Sequence, residues 1–170
     1  TILNAVYNET GQNIGDWGSW SRLSSNPGGE NTIVMFKSCF PNSNLYGSPN
    51  DPAASEANDW EFSVSNAKAV YNNVLTYFAS RQDKLFVVIT APPMTEDEYP
   101  NDQEISKTQR SANARAFSNW LVNDWLDGYA HNNVAVFDYF NVLTHPNNHH
   151  RVNNGAVEHV TSPQSGNFAY

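Results

Sequence analysis

The chain of 170 residues carries 17 acidic and 9 basic side chains and a net charge of −8, so it has no cationic surface with which to neutralise nucleic-acid phosphates or an anionic membrane. Its length suits a single domain with a core of its own, and no run approaches the roughly 18 apolar residues that a transmembrane span needs. Cys39 is the single cysteine, which excludes an internal disulfide.

The paired asparagines Asn72-Asn73, Asn132-Asn133, Asn147-Asn148 and Asn153-Asn154 point to a surface wetted by amides rather than ions. That composition is common among secreted proteins that face sugars, so a secreted or periplasmic location is expected. Residues 1–31 are rich in Gly, Asn and Trp, with turn signals at Gly15-Asp16-Trp17-Gly18 and Asn26-Pro27-Gly28-Gly29, and read as mostly loop. Trp17 and Trp20 are spaced to pack together, and Asn8-Glu9-Thr10 is a glycosylation sequon.

The run Thr32 to Lys37 is apolar and β-branched and predicts a first strand, after which Ser38, Cys39, Asn42, Ser43 and Asn44 gather around Pro41. Beyond the carboxyl end of a parallel strand is where open α/β sheets bind ligands, so this polar knot is the leading site candidate. Cys39 itself reads as a small buried hydrophobe. A long loop from Pro41 to Trp60 covers the strand end. Ser65 is positioned to cap a helix whose apolar face is Ala67, Val70, Tyr71, Val74, Leu75 and Phe78.

Leu85 to Thr90 is apolar at every position but the last, as a strand in the middle of a parallel sheet would be. Ala91-Pro92-Pro93 ends it, and the acidic Glu96, Asp97 and Glu98 lead to a second helix carrying Ala112, Ala116, Phe117, Trp120, Leu121 and Trp125. Asn133 to Asp138 is the third strand, after which no further helix is evident. The alternation strand, helix, strand, helix, strand predicts right-handed βαβ units and a parallel sheet between helices.

The segments Val34-Met35-Phe36-Lys37-Ser38-Cys39-Phe40-Pro41-Asn42-Ser43, Val87-Val88-Ile89-Thr90-Ala91-Pro92-Pro93, Ala114-Arg115-Ala116-Phe117-Ser118-Asn119-Trp120-Leu121 and Val136-Phe137-Asp138, in that order, resemble a branch of the SGNH (GDSL-type) hydrolases. The resemblance implies a flavodoxin-like three-layer α/β/α sandwich and a cofactor-free hydrolysis of an ester, often an acyl group on a carbohydrate, by a Ser nucleophile with a late His and Asp. It implies that Asn42 or Asn44 supplies the oxyanion hole, where a neutral N–H donor can be worth roughly 3 kcal/mol. Asn42 is the expected donor, with Lys37, Asn44, His149 and His150 lining the substrate site. Two departures accompany the match. Gly15-Asp16-Trp17 stands where a Gly-Asp-Ser would be sought, and Asp138 is followed three residues later by Asn141 rather than His. The chain therefore reads as the central portion of a longer hydrolase, or else as a non-catalytic carbohydrate-binding or structural protein on the same fold.

Other chemistries compete for the same residues. Ser38 beside Lys37 suggests a Ser–Lys pair, although neighbours on an extended chain point to opposite faces. Cys39 with a distant His could form a thiol pair. His145, His149, His150, Glu158 and His159 hold enough imidazole and carboxylate for a divalent metal, without the spacing of a helical His-Glu-x-x-His site, and polar loop residues at the site mouth, or a general base, are the preferred reading.

Overall fold

The computed structural model describes residues 22–23, 29–30, 32–58, 61–94, 105–144, 150–153 and 156–159. In chain order these form β1 (Arg22–Leu23), β2 (Gly29–Glu30), β3 (Ile33–Lys37), a 3-10 turn (Phe40–Ser43), α1 (Val64–Ser80), β4 (Leu85–Ile89), α2 (Lys107–Asn123), β5 (Val134–Phe137), α3 (Tyr139–Thr144), β6 (His150–Asn153) and β7 (Ala156–His159). The order β3-β4-β5 is a parallel three-stranded sheet, so the protein has a mixed α/β fold, and β4 is the central strand that its two-faced apolar run predicted. β1 with β2, and β6 with β7, are antiparallel pairs.

The register aligns Val34, Phe86 and Val134 in one row and Phe36, Val88 and Val136 in the next. These rows face Tyr71, Val74 and Phe78 of α1 and Phe117 and Leu121 of α2, in one continuous core. Both helices lie on the same face for a topological reason. The two crossovers both step across the sheet in the same direction, and crossovers of one hand, right-handed as a rule, then fall on one face. Among the described residues the opposite face, with Ile33, Met35, Leu85 and Phe137, is exposed.

Phe78 centres the packing, stacked on Phe86 at 4.0 Å between ring centroids and tilted against Phe36 at 6.0 Å. Tyr71 meets Phe117 and Trp125 edge-on at 5.4 and 5.5 Å, which joins the two helices. Full burial of its phenol, with no charge to offset desolvation, raises its pKa well above the usual tyrosine value.

Several expectations are corrected. The cap of α1 is Ser63 rather than Ser65: its backbone is extended and its Oγ accepts from Asn66 N at 3.1 Å. Cys39 is exposed, because the inward alternation Val34, Phe36, Ser38 continues past the end of β3 and turns Cys39 outward. Within the region before β3, read as mostly loop, the described residues form the short β1–β2 pair. After Asp138 the chain forms α3, where a first-turn amide is held as Asn141 N donates to Asp138 Oδ1 at 3.2 Å. Trp17, Trp20, the Asn8 sequon, Glu96 to Glu98, His145 and His149 lie outside the described residues, as do the side chains of His150, Glu158 and His159.

Candidate site at the carboxyl ends of the parallel strands

β3 delivers the polar knot that follows it. Lys37 is exposed at the strand end, Ser38 is buried, and Asn42 and Asn44 are half-buried on the segment that the 3-10 turn opens. Asn42 N donates to Cys39 O at 3.0 Å, closing the turn, and its side-chain Nδ2 donates to Ser38 Oγ. The Ser38 hydroxyl thus supports Asn42 from below instead of facing solvent.

Three elements hold this segment. Ser43 Oγ donates to Pro92 O at 2.8 Å, tying it to the residues after β4. Arg110, near the start of α2 and fully buried, donates from Nη1 to Asn44 Oδ1, and its guanidinium lies 4.3 Å from the centroid of the Tyr46 ring. One turn on, Asn113 Nδ2 donates to Leu45 O at 2.8 Å and Gly47 O at 3.0 Å, while Gln109 Nε2 donates to Asn113 Oδ1 at 2.9 Å. A bridge of backbone bonds completes the frame, Tyr46 N to Phe62 O at 2.7 Å and Val64 N to Tyr46 O at 3.0 Å.

The ends of β4 and β5 are joined in the same way. Thr90, fully buried, accepts on Oγ1 from Phe140 N at 2.7 Å, which seats α3 beside the end of β4. Asn141 Nδ2 donates to Asp138 Oδ2 at 2.8 Å and to Asn119 Oδ1 at 2.9 Å, and Arg115 Nη1 donates to Asn141 Oδ1 at 2.6 Å. Burial pulls the Arg115 pKa below its usual value and the nearby charge of Asp138 opposes the pull. Asn141 therefore sits where it can bind a carboxylate and a guanidinium at once, a task for which an amide's donor and acceptor pair is suited.

The structure thus brings together Ser38, Asn42 and Asn44 around one short segment, with Lys37 at its exposed edge. Arg110, Asn113 and Arg115 did not stand out in the sequence, where charged and amide side chains on a helix normally read as solvent-facing. A signal was present. The buried positions 110, 111, 113, 114, 117, 118 and 121 of α2 form one helical stripe, so Arg110 and Asn113 stand in register with Phe117 and Leu121. Among the described residues no group of His, Cys, Asp and Glu is arranged to hold a metal ion, and no helix is long and apolar enough to cross a membrane. Comparison with protein-family models, with curated proteins and with solved structures yields no significant match.

Proposed function

We propose that the protein is an SGNH-type serine hydrolase acting on an acyl ester of a carbohydrate or small molecule, and that it works outside the cytoplasm. The observation that carries this reading is the pair of half-buried amides, Asn42 and Asn44, placed by α2 and by the residues after β4 at the carboxyl end of a parallel strand. Fixed neutral N–H donors at that position are what a developing oxyanion requires, because preorganised dipoles cost no reorganisation when charge appears. In this chemistry a serine oxygen attacks the ester carbonyl, the alcohol departs with a proton, and water releases the acid from the acyl-serine. Lys37 at the exposed edge, with His149 and His150, would meet the substrate.

Burial of Ser38 beneath Asn42 favours a second reading, in which the segment binds a sugar or its acyl group without turning it over. A serine-directed fluorophosphonate probe, with the adduct mapped by mass spectrometry, and p-nitrophenyl acetate turnover by the natural full-length protein separate the two. Labelling with turnover supports the hydrolase. Absence of both removes it and leaves the binding reading, which predicts carbohydrate binding lost in Asn42→Ala.

A further inference from the structure

Two amides compete for the role of oxyanion donor, and their partners differ in kind. Asn42 Nδ2 faces the Ser38 hydroxyl, a group that both donates and accepts, so this partner is compatible with either orientation of the amide. Asn44 faces the guanidinium of Arg110 through Oδ1, and a guanidinium only donates, so the orientation is dictated: oxygen inward, NH2 outward. Among the described residues Asn44 Nδ2 has no protein partner and is not sealed from solvent.

Arg110 is itself held in place. It is fully buried, its guanidinium lies over the face of Tyr46, and Asn113, one turn along the same helix, grips the backbone on the far side of Asn44 at Leu45 and Gly47. A cation in a low-dielectric setting that hydrogen-bonds the carbonyl of an amide withdraws electron density from it, and the N–H bonds on the opposite side become stronger donors.

Resting on the hydrolase reading above, we infer that Arg110 is a positioning residue that turns and polarises the Asn44 amide, making Asn44 rather than Asn42 the anion-facing donor of the site. Its ligand chemistry is the oxyanion formed when an ester carbonyl is attacked. Asn42 then has a different task, bracing the turn through Ser38 and Cys39.

The test compares Asn44→Ala, Asn42→Ala, Arg110→Lys and the double variant Asn44→Ala/Arg110→Lys in the full-length protein, with kcat and KM for p-nitrophenyl acetate and a thermal melt for each. Asn44→Ala is expected to lower kcat by about 100- to 1000-fold with KM nearly unchanged, the signature of a donor engaged only in the transition state. Arg110→Lys, which keeps the charge but not the planar fork, should lower kcat by about tenfold. In the Asn44→Ala background the same change should lower it no further, since a positioning residue acts through its partner. A purely structural Arg110 would instead give multiplicative losses that track the melting temperature, and that result overturns the inference. So does an Asn44→Ala variant with wild-type kcat. A wild-type protein with neither turnover nor probe labelling overturns the hydrolase reading itself, a distinct outcome visible before any variant is made.

Discussion

Replacing Asn113 tests whether the grip of α2 on the segment after β3 is as strong as its geometry implies. The side chain is fully buried and takes part in three hydrogen bonds, two of them from Nδ2 to the carbonyls of Leu45 and Gly47. In Asn113→Ala the Leu45 carbonyl, on a residue only 2% exposed, is left without this donor, at a cost of about 1–3 kcal/mol. Gly47 is exposed and can turn to water, and Gln109 is half-buried, so each of those losses adds about 0.5 kcal/mol. The total is about 2–4 kcal/mol, equivalent to a fall in Tm of roughly 5–15 °C for a chain of this size. Asn113→Asp keeps the shape and should be worse than Ala at neutral pH, because it sets a carboxylate oxygen against two carbonyl oxygens in a dry site. Urea unfolding at constant m-value reads both. An Asp variant as stable as the wild type would refute the reasoning, since it would mean that the volume of the side chain matters and its donors do not.

Three further outcomes follow from the same structure. Gly47 has φ +84° and a Cβ built there falls 2.5 Å from Asp51 Oδ2, so Gly47→Ala should cost at least about 1 kcal/mol through backbone strain and displacement of the Asp51 carboxylate that accepts from Ser48 N. Phe78→Ala, which removes a fully buried ring stacked on Phe86, should cost about 3–5 kcal/mol in chemical denaturation. The Asp83 carboxyl is held down at about 2 from its ordinary 3.8, chiefly by the side-chain hydrogen bond from Arg81. Because the folded value is the lower one, its contribution to stability is present above the ordinary value and is lost as pH falls through about 2. In an NMR titration Arg81→Ala should return this carboxyl toward 3.8.

The elements that sequence periodicity located are those whose side chains divide cleanly between core and solvent. Tyr71, Val74 and Phe78 repeat at helical spacing and are buried, and the apolar run from Leu85 to Ile89 is the central strand. The cap was displaced from Ser65 to Ser63 because both serines suit the role by type, and the choice fell to the Tyr46–Ser63 bridge, a contact 17 residues apart in sequence that no local pattern encodes. The antiparallel pair β6–β7 carried a local cue, Asn154-Gly155 between the two strands, which is the preferred sequence of a two-residue hairpin loop. Within the site, Asn42 and Asn44 were legible because polar residues just past an apolar strand are conspicuous. Arg110 was not, because its burial depends on the apposition of α2 with a segment more than sixty residues earlier in the chain.

The sheet also sets how the chain must fold. Ile33 pairs with Leu85 and Phe86 with Val134, so each strand pairing spans about fifty residues, and closing a flexible loop of that length costs about 3.5 kcal/mol in chain entropy beyond a constant. No hairpin within β3, β4 and β5 can seed the parallel sheet, and the entropy is recovered only as Phe78, Tyr71 and Phe117 come together across α1, α2 and the strands. Stopped-flow refolding in the millisecond-to-second range, rather than microseconds, is the corresponding expectation. The segment bearing Asn42 and Asn44 acquires its geometry in that same late step, since Arg110 and Asn113 reach it only when α2 docks.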